Sequence, residues 1–312
     1  MVLAEEKRWR WENAAAGAIA GFTTVASLHP LDVIRTRFQV SDGRGSSVPQ
    51  YNNTAHAIFS IARYEGVRGL YAGFYPAVFG STVSWGLYFF FYNRAKQRYS
   101  RRRDDQLSPA YHLVSAAEAG ALVSLCTNPI WLVKTRLQLQ VPANHSRPYS
   151  GFYDAMRTIL KEEGWLALYR GLGPSLFLVT HGAIQFTVYE ELKKAVIYVK
   201  RREIKSNSLG GEELLSSFDY ATLGAASKVA AMLFTYPYQV IRTRLQQRPS
   251  TDGVPKYLHS WHVVKETTRF EGFRGFYKGM TSNLLKNIPA ASITFVVYEN
   301  VLKLIQLTRD GN

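Results

Sequence analysis

The sequence predicts an all-α membrane protein of six transmembrane helices in three tandem pseudo-symmetric repeats. Three observations predict it: long runs without ionisable residues, a proline-centred motif that recurs about every hundred residues, and a second motif that recurs in phase with it. A spanning helix needs about 20 mostly apolar residues. Residues 13–31, 69–93 and 171–189 contain no Asp, Glu, Lys or Arg, which gives runs of 19, 25 and 19 residues. Three further apolar stretches each hold a single charge: Pro109–Val133 with Glu118, Tyr220–Ile241 with Lys228, and Met280–Tyr298 with Lys286. A lone charge inside a span is costly, so each is a candidate functional group.

Composition narrows the class. The chain has 312 residues, 38 Lys+Arg against 23 Asp+Glu, a net charge of +15 and 13% aromatics. That aromatic content excludes wholesale disorder. The single cysteine, Cys126, excludes an internal disulfide framework and any multi-cysteine metal site, and no other metal-ligand cluster is expected. The basic balance predicts an anionic partner: nucleic acid, acidic lipid or a small anion. The first eleven residues carry Glu5, Glu6, Lys7, Arg8 and Arg10 and no apolar core, so they read as neither secretory signal nor cleaved presequence. Targeting is therefore expected to be internal.

The repeats follow in order along the chain. The runs Pro30-Leu-Asp-Val-Ile-Arg-Thr-Arg-Phe-Gln39, Pro129-Ile-Trp-Leu-Val-Lys-Thr-Arg-Leu-Gln138 and Pro237-Tyr-Gln-Val-Ile-Arg-Thr-Arg-Leu-Gln246 align without gaps, 99 and 108 residues apart. The second motif reads Glu65-Gly66 with Tyr71 and Gly73, Glu163-Gly164 with Tyr169 and Gly171, and Glu271-Gly272 with Tyr277 and Gly279, 98 and 108 residues apart. Each unit is a span, a polar connector and a second span, with expected boundaries at 1–108, 109–210 and 211–312. Pro30, Pro129 and Pro237 each remove a helix hydrogen bond and kink the first span of their repeat. Small residues at nine and thirteen positions before each proline, Gly21 and Gly17, Gly120 and Ala116, then Lys228 and Gly224, suit close helix packing except at Lys228.

With the triple Pro-x-acid-x-x-base pattern, the chain resembles the mitochondrial carrier family over essentially its whole length. The resemblance implies six helices around one central site and alternating access between two gates. It implies that the signature acids and bases pair between repeats and close the matrix or stromal side. Here the acid positions are Asp32, Trp131 and Gln239 and the base positions Arg35, Lys134 and Arg242, so one signature ion pair is expected, Asp32 with Lys134. Gln39, Gln138 and Gln246 match the family's glutamine-brace position. The cytosolic gate, Tyr-acid-x-x-base, is Tyr189-Glu190-x-x-Lys193 in full, lacks the acid at Tyr92-Asn93-x-x-Lys96 and lacks the base at Tyr298-Glu299-x-x-Leu302. Two links are expected there, Lys96–Glu190 and Lys193–Glu299.

Where the repeats differ, an asymmetric substrate is expected to bind. Lys228 stands where the other repeats have glycine, and Glu118 aligns with Ile19 and Ala226. Fourteen residues after each Glu-Gly glycine stand Gly80, Leu178 and Lys286, with Phe177 as the alternative to Leu178 because repeat 2 is one residue shorter there. Lys228, Lys286 and Arg242 suit carboxylates or phosphates. Trp131 and Trp85 suit a flat heteroaromatic ring. His181 lies at the same depth, although a histidine there is more often a satisfied interior group. The runs Ser84-Trp-Gly-Leu-Tyr-Phe-Phe-Phe-Tyr92, Asn128–Gln138, His181-Gly-Ala-Ile-Gln185 and Tyr236-Pro-Tyr-Gln-Val-Ile-Arg242 are similar to the folate/FAD carrier branch. That similarity implies transport of folate across an organelle inner membrane, the plastid inner envelope, or alternatively of FAD or a pyrimidine nucleotide across the mitochondrial inner membrane. A monomer in contact with anionic lipid, without a cofactor and without chemistry of its own, is the corresponding expectation. A soluble nucleic-acid-binding repeat protein is the competing class, supported by Arg101–Arg103 and Lys200–Arg202, but no zinc spacing or RNP motif accompanies them. No phosphate loop or nucleophile elbow points to an enzyme.

Overall fold

The computed structural model describes residues 2–42, 49–100, 109–141, 148–206, 215–249 and 255–310. The basic cluster at 101–103 lies outside them. The described residues form helices and no strand. Helix α1 (Val2–Val40), α2 (Thr54–Tyr64), α3 (Gly66–Leu70) and α4 (Phe74–Ser100) come first. Then follow α5 (Pro109–Leu139), α6 (Phe152–Glu162), the 3-10 turn Trp165–Tyr169, α7 (Leu172–Leu178) and α8 (Thr180–Ser206). The last unit is α9 (Ser217–Leu245), α10 (Ser260–Glu271), the 3-10 turn Phe273–Tyr277 and α11 (Met280–Asp310).

Each unit is thus a long helix, a short surface helix and a second long element. The second long element of one repeat packs on the first helix of the next: α4 on α5, then α7 and α8 on α9, and α11 returns to α1. Three copies close into a ring by that rule. At 1.5 Å per residue, helices of 27 to 39 residues exceed the roughly 30 Å hydrocarbon core of a bilayer. Three stretches, Trp11–Val40, Tyr111–Leu139 and Phe273–Thr308, are apolar enough to be recognised as spans from length and composition alone. The other three long helices are diluted by tyrosines and by charges such as Lys228 and Glu190, which an average over the span counts against them. Phe89, Phe90, Phe234 and Phe295 stand exposed on the long helices, where hydrocarbon rather than water suits them.

The short helices bury one face each, at positions four apart. Ala57 and Ile61 pack on Ile34, Ala155 and Ile159 on Leu132 and Val133, and Val263 beside Ile241 and Leu245. A cap sets the start of α2, where the Asn53 side chain accepts from the His56 amide at 2.7 Å. A Ser216–Asp219 capping box begins α9. Helices α1, α5 and α9 run on through Pro30, Pro129 and Pro237. Pro237 frees the carbonyl of Leu233 four residues back, and the Tyr277 hydroxyl donates to it at 3.2 Å. In repeat 2 the second span breaks at Val179, where the amide bonds back to Leu176, giving α7 and α8.

Candidate functional site

The site grows from the proline-motif ends of α1, α5 and α9. The second basic residue of each run, Arg37, Arg136 and Arg244, is buried and forks onto the glutamate of its own repeat's second motif. Arg37 Nη2 lies 2.7 Å from Glu65, Arg136 Nη2 is 3.0 Å from Glu163, and Arg244 makes bonds of 2.5 and 2.9 Å to Glu271. The same guanidinium reaches on to the next chain turn. Arg37 Nε donates to the Gln138 carbonyl at 3.0 Å, Arg136 to Gln246 at 3.2 Å and Arg244 to Gln39 at 3.0 Å. Each repeat is thereby tied to another, and the three ties close a ring. Thr36, Thr135 and Thr243 add a second tier, donating to the side-chain oxygens of Gln138, Gln246 and Gln39 at 2.8, 2.9 and 2.8 Å.

A third tier holds the linking turns. The residue before each proline donates to a turn carbonyl: His29 to Ala72 at 2.9 Å, Asn128 to Leu168 at 2.6 Å and Tyr236 to Lys278 at 3.0 Å. Gly73, Gly171 and Gly279 have φ of +72°, +82° and +82°. A Cβ on them would stand 3.0, 3.3 and 2.9 Å from the carbonyls of Lys134, Arg242 and Arg35. The second span of each repeat therefore starts against the signature base of another.

Above this ring the symmetry ends. A cavity of about 280 Å³ is lined by Asp32, Arg35, Trp131, Lys134, Leu178, Gln239 and Arg242, with the glutamines and threonines at its floor. Asp32 Oδ2 lies 2.6 Å from Lys134 Nζ and accepts from Gln138 Nε2 at 3.1 Å. Asp32 Oδ1 lies 2.5 Å from Lys286 Nζ and 3.9 Å from Arg35. Arg35 also donates to the Gln239 side-chain oxygen. One carboxylate thus faces three cations, and a fourth, Arg242, meets no carboxylate among the described residues. The Lys134 ammonium stands 5.0 Å from the centre of the Trp131 ring. Trp131 also lies 3.7 Å from where a Gly80 side chain would begin, and Ile130 only 2.9 Å, so Gly80 is a close-approach position. That geometry can hold a small anion with a flat ring.

Comparison with known proteins bears on what this arrangement is. Residues 6–103, 105–200 and 214–309 each match the family described as mitochondrial carrier protein. The chain belongs to that family. It is 71% identical over 299 residues to the chloroplastic folate transporter 1 of Arabidopsis thaliana, covering 96% of each chain. It is 37% identical to the chloroplastic nicotinamide adenine dinucleotide transporter 1 of the same plant, over 94% of this chain and 91% of the relative. It is 30% identical to the mitochondrial pyrimidine nucleotide transporter of Saccharomyces cerevisiae, over 95% and 86%.

The remaining sequence-derived residues of the carrier fall into three groups. Leu178 lines the cavity, whereas Phe177 stacks on Tyr238 with centroids 5.2 Å apart, and the break at Val179 explains the ambiguous register. His181 is held by Thr235 at 2.9 Å. Lys228, half-buried on α9, has no ion pair or hydrogen bond among the described residues. Away from the cavity, Glu118 pairs with Arg98 at 2.7 Å, and Tyr99 donates to it at 3.2 Å. Trp85 is 61% exposed and stacks on Phe89 of its own helix, outside the cavity wall. At the other end, no ion pair joins Lys96 to Glu190 or Lys193 to Glu299 among the described residues. Lys193 instead stands 5.9 Å over the Tyr220 ring, Tyr92 meets His112 Nδ1 at 2.9 Å, and Tyr298 donates to Asn13. Tyr189 shares this end of the chain motif. With the proline ends of α1 touching α5 and α9, this conformation is closed at the proline end. The arginine–glutamate forks are the residues that sequence reasoning missed. Their signal was the Thr-Arg pair repeated unchanged in all three runs, but the partners lie 28, 27 and 27 residues on.

Proposed function

We propose that this carrier moves folate, as the pterin-glutamate anion, across the plastid inner envelope by alternating access. The observation that carries the reading is the 71% identity, spanning 96% of both chains, to a chloroplastic folate transporter. The cavity chemistry agrees with it. Four cations against one carboxylate favour a substrate with two carboxylates, and Trp131 offers a face for a pterin ring. In this reading Arg242, Lys286 and Lys228 receive the carboxylates. Asp32, Lys134, Arg35, Gln39, Gln138 and Gln246 form the stromal gate. Lys96, Glu190, Lys193, Glu299, Tyr92, Tyr189 and Tyr298 form the cytosolic gate when the proline end opens. The protein works as a monomer among anionic lipids, makes no use of nucleic acid, and needs neither cofactor nor chemical step.

A second reading, a carrier of FAD or another nucleotide, is favoured by the dinucleotide and pyrimidine nucleotide transporters among its relatives, whose substrates also join flat rings to negative charge. The test is uptake of radiolabelled folate, FAD and NAD, in parallel, into liposomes containing the purified protein. Folate uptake alone is expected, and uptake of FAD or NAD with none of folate would move the substrate to nucleotides. Lys228→Ala and Lys286→Ala are expected to lower uptake at least several-fold in folded protein.

A further inference from the structure

We propose that the closed proline end binds a free oxyanion of the phosphate kind, held by Arg35, Gln39 and Arg242 where the threefold pattern calls for two further carboxylates. The inference goes beyond the transport reading: it concerns the carrier without its substrate and stands whichever anion is carried.

Repeat 1 sets the pattern. Its acid, Asp32, meets two donors one repeat on, the Lys134 ammonium at 2.6 Å and the Gln138 Nε2 amide at 3.1 Å. The same step runs from Trp131 to Arg242 and Gln246, and from Gln239 to Arg35 and Gln39. Neither Trp131 nor Gln239 carries a charge, so donors suited to a carboxylate are left over. Gln39 is 2% exposed; its side-chain oxygen accepts from Thr243 at 2.8 Å, and its Nε2 is buried with no hydrogen-bond partner. Arg35 gives one nitrogen to the Gln239 oxygen, and its buried Nε has no partner. The Arg242 side chain has no ion pair or hydrogen bond among the described residues. Gln246 donates elsewhere, to the Arg170 carbonyl at 3.4 Å. Arg35, Gln39 and Arg242 line one cavity. Gln239, which Arg35 reaches, lies one helical turn before Arg242 on the same face of α9, so both guanidinium groups come to the same stretch of that helix.

Charge argues the same way. Lys134 and Lys286 already occupy the two oxygens of Asp32, at 2.6 and 2.5 Å, and Arg35 stands 3.9 Å off, beyond hydrogen-bond reach. Both arginines are therefore in surplus at membrane depth, where uncompensated charge is costly. An anion that only accepts hydrogen bonds answers both needs, because it takes the spare N–H donors and neutralises the spare charge. Guanidinium donors are fixed in a plane that matches the spacing of two oxygens, so an oxyanion suits them better than a single-centred halide. Arg35 and Gln39 stand on α1 and Arg242 on α9. The bound anion ties those helices and is expected to favour the conformation closed at the proline end.

Melting of the purified protein in detergent tests the site, with inorganic phosphate or sulfate titrated in and the ionic strength held constant with potassium chloride. A rise of several degrees that saturates with the oxyanion is expected. No rise, or an equal rise when chloride alone is increased, overturns the proposal. Arg242→Gln removes one cation, and Gln39→Glu keeps an acceptor for Thr243 while removing the amide donor. Each is expected to shift the midpoint of the phosphate response about tenfold upward. Gln239→Glu and Trp131→Asp supply the missing carboxylates within the chain and are expected to abolish the response. If Arg242→Gln does not fold, Gln39→Glu and Gln239→Glu decide. A wild-type response in those variants places the phosphate elsewhere on the basic chain and overturns the site. Folate uptake is not a readout here, so failure of the folate reading leaves this test standing, and failure of this test leaves the folate reading standing.

Discussion

At Glu271 a carboxylate is kept charged in a nearly closed pocket. Burial alone would push its carboxyl up, but the hydrogen bonds and charges of Arg244 and Lys278 outweigh burial and hold it below its ordinary value. Arg244 reaches both oxygens at 2.5 and 2.9 Å, and Lys278 lies 2.6 Å away. A group whose native value is depressed contributes stability above its unfolded value, near 4.3, and loses it as pH falls through the native value. The carrier is therefore expected to melt at falling temperature as pH drops below about 4.5. Glu271→Gln leaves Arg244 buried beside a neutral amide, which is expected to lower stability at pH 7 by about 3 kcal/mol. The two proteins are expected to converge in acid. Melting curves of both from pH 3 to 7 decide this, and parallel curves would remove Glu271 from the account. None of this was legible around Glu271 itself, where the sequence shows only a repeated Glu-Gly pair. A buried arginine 27 residues away supplies its meaning, and only the fold brings the two together.

Among the elements, the most exacting junction is where the second span of each repeat begins. Gly279 has φ +82°, and a Cβ there would meet the Arg35 carbonyl at 2.9 Å and the Tyr236 hydroxyl at 3.1 Å. Left-handed backbone disfavours alanine by about 1–2 kcal/mol, and the contact with backbone adds to that. Gly279→Ala is expected to lower stability by about 2–4 kcal/mol. Gly272 (φ +63°, ψ −161°) has open space around it, so an alanine there meets no such contact and loses stability through its backbone conformation alone. Thermal melts of Gly279→Ala check the loss, and a variant as stable as the wild type would remove the contact with α1 from the account. The element pattern was legible because helix periodicity, proline and glycine act locally. Three repeats and their long helical elements follow from runs and motifs alone. The break between α7 and α8 was not, since it lies in an uncharged run with no breaker at Val179. The cavity wall suffered from that one-residue slip, which is why Phe177 and Leu178 could be separated only by where they lie.

The whole molecule is a ring with threefold supports and a cavity that does not share their symmetry. Below, three arginine forks and three threonine–glutamine bonds repeat from unit to unit. Above, Asp32 is the single signature acid, paired with Lys134, and at the Gln239 position an uncharged amide accepts from Arg35; under the proposed function these contacts are the stromal gate. A carrier must leave each state nearly as easily as it enters it, so a weak lock suits turnover. Gln239→Glu tests that idea with one atom's change, turning the amide bond between α9 and α1 into an ion pair. The Arg35 guanidinium already makes this bond charge-assisted, so what the closed-proline state gains is the added attraction of opposite charges, about 1–1.5 kcal/mol for a pair more shielded than a surface one. The opposite state, in which this end is apart, gains nothing. The population able to release substrate on that side therefore falls about tenfold. Gln239→Glu is expected to melt several degrees higher in detergent and to take up folate with a maximal rate roughly tenfold lower. Its added negative charge also reduces the cationic surplus in the cavity, so KM is expected to rise. High ionic strength narrows an exposed charge effect but leaves a shielded pair standing, and with Arg35 only 21% exposed the slower rate is expected to persist in salt. If Gln239→Glu melts higher yet transports at the wild-type rate, opening of the proline end does not limit the cycle. If neither property changes, the amide between Arg35 and α9 is no part of the gate, and its weakness explains nothing about transport.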